Sequence, residues 1–513
     1  MAHVYGRPKT HLSRCRFLLA AILVLSVVPA WAADQPAGVL CKGTRFETSY
    51  YVVESGKPGP LVMVTGGVHG DEPAGMRAAE QIRHWPIRKG RLIVLPRANV
   101  PGLAAKSRNI PDEPKESANL NRDFPCKGGP DKPLNALAEA MWQLVLSRKP
   151  DWLVDLHEGF DFHKINKKST GAGLIRTRHK DVLAVSERML EAVNKTIDEA
   201  DHELVPMINP AVGSLARAAW EVNGIRAMIQ ETCLKEPLAR RVRQHRIMVH
   251  CLLKDLEMVD CDRDLITPPD RQPGELRVAV YCGGGVGSTG PVRLEGLLQA
   301  DRGVLARLVS PEAIRAGVLR QFDAVVFPGG TGKGTAEALG EGGREAVERF
   351  VRGGGGYLGI CAGAYLATSG YEWGLKIIDA KTVDSRHWKR GKGTVKIELT
   401  PAGREILGRR EGELPIYYAN GPLLGPGGRD DLQDYTVLSY FRQEMRENDA
   451  PEGVMLNTPA MIAATYQKGR VALFSPHPEK TAGLEPFVAR VIRWTAGRAP
   501  QDAGIAPATR RAR

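Results

Sequence analysis

The sequence predicts an α/β protein made of two consecutive domains, and three observations predict it. Short apolar runs alternate with helix-length amphipathic patterns along most of the 513 residues. A single proline-rich stretch interrupts that alternation. The residues best suited to chemistry stand directly after the apolar runs, where α/β sheets place their sites. Composition agrees with this class. With 43% hydrophobic and 25% charged residues, the chain is neither collagen-like, nor disordered throughout, nor a multi-span membrane protein.

The first block spans residues 38–262. Runs at Leu61–Thr65, Leu92–Leu95, Trp152–Leu156 and Ala227–Gln230 read as strands, because continuous short apolar runs suit strands covered on both faces. Between them, Pro73–His84 and Leu134–Ser147 carry helical periodicity, and an amphipathic pattern from Leu238 to Val259 closes the block. Residues 263–275 read as a linker, with Pro268, Pro269 and Pro273. The second block, 276–496, restarts the alternation. Strands are expected at Arg277–Tyr281, Ala324–Phe327 and Tyr357–Ile360, and helices at Val292–Ala300 and Arg344–Arg352. Such alternation predicts mostly parallel sheets. Residues 497–513 are rich in Ala and Pro and read as a disordered tail.

The first 32 residues read as a signal peptide. Arg7, Lys9, Arg14 and Arg16 precede the apolar run Phe17–Val28, and Ala30-Trp31-Ala32 supplies a small-x-small cleavage pattern. The run is shorter than the ~20 residues that cross a bilayer, so no stable membrane span is expected once it is removed. A periplasmic or secreted location follows as the expectation. The formal charge of +13 then falls to +9 and is spread along the chain. No basic run alternates with aromatics, which argues against a nucleic-acid partner. Of eight cysteines, Cys15 leaves with the signal, so an odd seven remain and at least one is unpaired within the chain. Cys41, Cys126, Cys233, Cys251, Cys261 and Cys282 are available for pairing, at spacings that match no zinc finger.

After the Leu61–Thr65 run the chain reads Gly66-Gly67-Val68-His69-Gly70-Asp71-Glu72. A His and a Glu three residues apart, on a glycine-rich loop entering a helix, can reach one ion together. His157, in Asp155-Leu156-His157-Glu158-Gly159, offers a third ligand. His, Glu and His on one Zn²⁺ leave a coordination position open, the catalytic arrangement. Asp155 is placed to orient an imidazole. His84, His179, His202, His245 and His250 lack partners at ligand spacing and read as structural or surface residues.

The order His69-x-x-Glu72, Asn119-Leu120-Asn121-Arg122-Asp123-Phe124-Pro125, Asp155-Leu156-His157 and Gln230-Glu231-Thr232 resembles the zinc carboxypeptidase superfamily, in particular its succinylglutamate desuccinylase/aspartoacylase branch. The resemblance covers about 52–255. It implies that His69, Glu72 and His157 bind zinc and that Glu231 is the general base for the attacking water. It also implies that Asn121 and Arg122 clamp a substrate carboxylate, a task a guanidinium fork suits. Arg108 is the candidate for stabilising the developing oxyanion, with a solvated loop arginine as its alternative. Ser214-Leu215-Ala216-Arg217 is similar to a family helix start, read as packing, and Gly159–His163 is a candidate pocket lining or exposed loop.

In the second block, Gly359-Ile360-Cys361-Ala362-Gly363 joins an apolar strand to a helix, a nucleophile elbow with Cys in place of Ser. A helix N-terminus favours a thiolate. Downstream, His477-Pro478-Glu479 offers a base and its orienting acid, completing a Cys361–His477–Glu479 triad. With Phe327-Pro328-Gly329-Gly330 and Tyr418-Ala419-Asn420-Gly421, the block resembles the flavodoxin-like class I glutamine amidotransferase fold. It is most similar to the N-terminal domain of fungal-type biotin–protein ligases. By that resemblance Gly330, with Gly329, donates to an oxyanion. No ligase catalytic domain and no ammonia-accepting domain follows. Gly329–Gly334 lacks the Ser/Thr and first Gly of a P-loop, and Gly283-Gly284-Gly285 alone is weak evidence for a nucleotide.

The expected function is that of an exported zinc hydrolase cleaving an amide bond beside a free carboxylate. Its substrate would be a small peptide, cell-wall-derived in an exported setting, or an N-acyl amino acid. Ester hydrolysis by the same zinc chemistry and an envelope ligand-binding role with a vestigial thiol are the alternatives.

Overall fold

The computed structural model describes residues 1–3 and 35–498. The apolar run and cleavage pattern of the expected signal peptide lie outside the described residues, as does the tail from 499. No described helix is long and apolar enough to cross a membrane.

The first sheet has eight strands: β1 (Gly38–Leu40), β2 (Thr48–Glu54), β3 (Leu61–Gly66), β4 (Arg91–Leu95), β5 (Trp152–Gly159), β6 (Gly173–Arg176), β7 (Val205–Ile208) and β8 (Arg226–Cys233). They lie in the order β1-β2-β4-β3-β5-β8-β6-β7. The centre is parallel: β3 pairs with β4 and with β5, and β5 pairs with β8. Every residue of β3 and of β5 is buried, as the continuous apolar runs require. The edges depart from the expected parallel sheet, since β2 runs antiparallel to β4 and β6 antiparallel to β8. The helices Pro73–Ile82 and Leu238–Asp255 pack together on one face. Pro73 suits the first turn of its helix, where its missing N–H has no partner to lose.

The second sheet comprises β9 (Leu276–Tyr281), β10 (Val304–Val309), β11 (Ala324–Phe327), β12 (Gly356–Ile360), β14 (Lys392–Leu399), β15 (Glu413–Ala419), β17 (Thr436–Phe441), β18 (Pro459–Tyr466) and β19 (Gly469–Phe474). The short pair β13 (Ala380–Thr382) and β16 (Leu424–Pro426) stands apart. The order is β10-β9-β11-β12-β19-β18-β17-β14-β15. As far as β19 the pairs are parallel; from β19 through β18, β17, β14 and β15 all are antiparallel. The expectation of a mostly parallel sheet therefore holds for only half of this one. The antiparallel half lies where alternating, charge-bearing strands such as Lys392–Leu399 leave one face open to solvent.

The segment 263–275 is not a loose tether. Asp264 is 1% exposed and accepts from Arg243 at 2.8 and 3.1 Å and from Arg246 at 3.4 Å. Trp85 donates to the Leu265 carbonyl at 2.8 Å. Direct ion pairs also cross between the two halves, Arg77–Glu295 at 2.5 Å and Arg240–Glu312 at 2.9 Å. One apolar cluster runs continuously from Val62 and Val154 to Val278 and Phe474.

Burial lowers the Arg246 pKa to about 10, and the Asp264 carboxylate opposes that shift. Removing this acid strands two buried guanidiniums, which costs roughly 3–5 kcal/mol. Asp264→Ala is therefore expected to lower unfolding free energy by about that amount in urea titrations, while Asp270→Ala, at an exposed position of the same segment, leaves it nearly unchanged.

Candidate functional site

The metal-ligating candidates meet at the carboxyl ends of β3 and β5. The chain leaves β3 through Gly66-Gly67 and reaches His69; Glu72 stands at the N-cap position of the helix Pro73–Ile82 without a side-chain capping bond. That helix packs close to β5 because of Gly75, where a Cβ would stand 2.4 Å from the Leu156 carbonyl oxygen. His157 arrives from β5 itself. Its Nδ1 is 2.9 Å from Glu72 Oε2 and 3.2 Å from His69 Nδ1, and His69 Nδ1 is 2.8 Å from Glu72 Oε1. All three residues are buried, with their ligand atoms within 4.8 Å of one another.

The outer nitrogens identify the tautomers. His157 Nε2 lies 2.8 Å from Asp155 Oδ2, and His69 Nε2 lies 3.2 Å from Asn119 Oδ1. Each acceptor favours a proton on the outer nitrogen, which turns Nδ1 inward as the atom that would meet an ion. Without one, burial alone would lower the His157 pKa, but Asp155 and Glu72 hold the imidazole well above its ordinary value. Two imidazole nitrogens and a carboxylate converging in one buried cluster fit a divalent cation, and the mixed N/O set suits Zn²⁺. Glu72 stays well below the usual carboxylate range; burial alone would raise it, but the charges and hydrogen bonds of His69 and His157 prevail.

Glu231 lies on β8 directly across from His157 in the parallel register. Burial pushes its carboxyl up to about 8, with His157 lowering it and Glu72 raising it, while Thr170 hydrogen-bonds to it. A cation in the adjoining cluster would favour the carboxylate. Arg108, 47% exposed, donates to Glu72 Oε1 at 2.6 Å. Arg122 donates to the Asn121 carbonyl at 2.7 Å. Its pKa is lowered by burial and by Arg108, and supported by Glu231 and Glu72. Both guanidiniums act electrostatically on the same cluster and give it cationic groups that an anion can approach. Asn121 is pinned from behind, its Oδ1 accepting from Leu215 N at 3.1 Å, and Ser214 caps that helix through Arg217 N. The Ser214–Arg217 motif thus does more than pack: it orients Asn121.

Other expectations sort by place. His245 sits between Gln230 and Thr232 behind the sheet, and His202 stacks on Phe162; both are structural. Phe160 is exposed. A cleft of about 620 Å³ lined by Trp152, Arg188 and Arg226 opens at the opposite ends of these strands and holds none of the motif residues. Asn119 and Thr170 were not singled out as site residues. Asn119 stood in a recognised motif, whereas nothing local marks Thr170.

The second constellation also assembles. Cys361 occupies the turn between β12 and the helix Ala362–Ala367 with φ +52°, the elbow conformation. Pairing of β12 with β19 brings Ile360 beside Phe474, and the chain then runs to His477. His477 Nδ1 is 2.6 Å from Glu479 Oε1, and the imidazole also hydrogen-bonds to Cys361. Burial lowers its pKa, but Cys361 and Glu479 together raise it to about 9. Gly329 must be glycine here, since a Cβ would stand 2.7 Å from His477 Cε1. Gly330 sits equally tightly, against the Gly285 carbonyl. Thr331 N donates to that carbonyl at 2.7 Å, so the two glycine-rich segments pack on each other. All seven described cysteines are free, so none of the six available for pairing forms a bridge.

Comparisons with known proteins divide the chain in the same way. Residues 58–194 match the succinylglutamate desuccinylase/aspartoacylase catalytic domain, and 308–396 match the biotin-protein ligase N-terminal domain. The chain carries both domains. The first match contains His69, Glu72, Asn121, Arg122 and His157 but stops short of Glu231; the second contains Cys361 but not His477 or Glu479. The N-alpha-acetyl-L-2,4-diaminobutyric acid deacetylase of Halomonas elongata is 36% identical over 112 residues, which are 21% of this chain and 31% of that protein. The chain thus spans under a third of the length of that curated relative. Among solved structures, the cell shape determinant protein Csd4 of Helicobacter pylori aligns at 21% identity and TM-score 0.36, over 43% of this chain and 57% of that one. A succinylglutamate desuccinylase/aspartoacylase of Rhodobacter sphaeroides aligns at 23% and 0.31, over 44% and 63%.

Two outcomes follow from the geometry. Asp155→Asn should weaken Zn²⁺ binding by roughly 10–100-fold in competition with a chromophoric chelator, because the His157 tautomer loses its anchor. For His477, the folded pKa of about 9 stands above the ordinary 6.5. Its stabilising contribution is therefore complete below pH 6.5 and is lost as pH rises through 9. The melting-temperature gap between wild type and His477→Asn should be widest near pH 6 and close by pH 9.5 on a calorimetric pH series.

Proposed function

We propose that the N-terminal domain is a zinc-dependent hydrolase of an amide bond adjacent to a free carboxylate, acting on a small peptide or an N-acyl amino acid. The observation that carries this reading is the buried convergence of His69, Glu72 and His157 with Glu231 beside it and Arg108 and Arg122 facing it. His69, Glu72 and His157 would hold the ion, which when bound supplies Lewis-acid polarisation of the scissile carbonyl and of water. Arg122 and Asn121 anchor the substrate carboxylate and so fix where the amide lies. Arg108 supplies donors to the carbonyl oxygen on which negative charge develops. Glu231 takes the proton of the attacking water and delivers it to the leaving nitrogen, a shuttle that suits a carboxyl balanced between burial and nearby cations.

The deacylase form of this reading is favoured by the likeness to a curated protein named as an N-acetyl amino acid deacetylase. In the second domain, the Cys361–His477–Glu479 arrangement supports a thiol that acts on, or holds, an amide-bearing ligand. The basic, apolar and small-residue order of the first 32 residues supports export to the periplasm or beyond.

Product analysis by mass spectrometry tests the hydrolase. Zinc-loaded protein is incubated with N-acyl amino acids, ester analogues and small cell-wall peptides, alongside Glu231→Ala. Cleavage should fall by roughly 10²–10⁴-fold in the variant, and the products then distinguish deacylation, ester hydrolysis and removal of a terminal residue. No cleavage by a protein that retains zinc, or cleavage indifferent to Glu231→Ala, overturns the proposal.

A further inference from the structure

Arg390 is the most deeply buried guanidinium in the second domain, at 1% exposure, and it is under-partnered. Its Nη2 bonds to Asp384, while Nε and Nη1 have no hydrogen-bond partner among the described residues. Asp384 is itself shared, lying 3.0 Å from His387 Nδ1. Three of the five N–H donors of a buried guanidinium are thus left unmet. That arrangement is costly, since each buried donor has lost water without gaining an acceptor.

The position of Arg390 gives the cost a use. Gly391 N donates to Asn420 Oδ1 at 2.8 Å, and Asn420 N donates back to the Gly391 carbonyl at 3.1 Å. This clasp ties the arginine to the segment that covers the thiol, where the Ala419 carbonyl lies 3.4 Å from Cys361 Sγ. Tyr365 and Tyr418 lie in the fields of both groups: burial and Cys361 raise their phenols, and Arg390 lowers them. Neither phenol oxygen is a partner of Arg390 Nε or Nη1; Tyr365 donates to the Asn420 carbonyl and Tyr418 to the Gly421 carbonyl.

We propose that Arg390 is the carboxylate-binding end of the Cys361 site, so that this domain takes a small ligand whose free carboxylate reaches the guanidinium while its carbonyl faces the thiol. A carboxylate supplies anionic acceptor oxygens for such unmet donors. Asp384 holds the guanidinium in place through Nη2, while Nε and Nη1 keep donors for a ligand. Nothing here depends on hydrolysis in the first domain, although a carboxylate-bearing amide is the class that domain is read to use.

Alkylation of the full-length protein tests the site, with Cys361 followed by peptide mass spectrometry at pH 7. The thiolate displaces iodide from either charged iodoacetate or neutral iodoacetamide, so only recognition differs between them. The rate ratio of iodoacetate to iodoacetamide at Cys361 should exceed that of N-acetylcysteine by about tenfold or more, and Arg390→Gln should abolish the excess while changing the iodoacetamide rate by less than about twofold. N-acetylglycine should slow iodoacetamide labelling of the unmutated protein, and N-acetylglycinamide should not. A preference that persists in Arg390→Gln assigns it to the His477 imidazolium and overturns the proposal. Should that variant fail to fold, the protection experiment decides alone: equal protection by acid and amide, or none by either, overturns it.

Discussion

Parallel pairing of β5 with β3 on one side and β8 on the other is the constraint on which the metal cluster depends. In that register Thr65 lies beside Asp155, and His157 lies beside Glu231. Side chains two apart on a strand share a face, so Asp155 and His157 act together while Glu158 points the other way. Glu158 uses that opposite face to accept from Ala74 N at 2.7 Å and from Arg241, fastening the helix that begins at Glu72. A slip of one residue would exchange these faces, sending the imidazole into the apolar layer and the carboxylate into the cluster. The close approach at Gly75 completes the arrangement by pressing the same helix onto β5.

The thiol site rests on an analogous constraint. Parallel pairing of β12 with β19 sets two chain ends side by side, one turning sharply at Cys361 and the other running on to His477 and Glu479. The φ of +52° at Cys361 is unfavourable for a side-chain-bearing residue. It persists because strands on both sides hold the turn, with Cys361 N donating to the Phe474 carbonyl at 2.7 Å.

The two halves share a seam of ion pairs and hydrogen bonds. The helix Thr289–Gln299 carries Glu295, which pairs with Arg77 in the helix that starts at Glu72, and Arg293, which donates to the Glu479 carbonyl at 2.7 Å. A single helix therefore touches the supporting elements of both sites. The buried Asp264 with Arg243 and Arg246 holds the connecting segment in place beside it.

Much of the chemistry was legible before any fold was known. His69-x-x-Glu72, Asp155-x-His157 and the Cys361 elbow lie within short segments, and local geometry alone makes such residues neighbours. The central strands β3, β4, β5, β8, β9, β11 and β12 were legible as well, because burial on both faces leaves an unbroken apolar run, whereas β10 and the central β19 were not among those expected. The antiparallel strands β14 to β18 and the edge strands β2, β6 and β7 were not, since half-exposed strands mix polar with apolar residues and resemble loops. Partners far apart in sequence were silent as partners: Asn119 on His69, Thr170 on Glu231, and Arg390 on the segment clasped to Asn420. Residue types and spacing determined which groups were available to hold a metal, move a proton or attack a carbonyl. Tertiary structure alone decided which nitrogen of each imidazole faces inward, which acid has its pKa raised by burial and which arginine keeps unmet donors. Those properties depend on distance and on exclusion of water, and both are set by chain segments that the sequence keeps far apart.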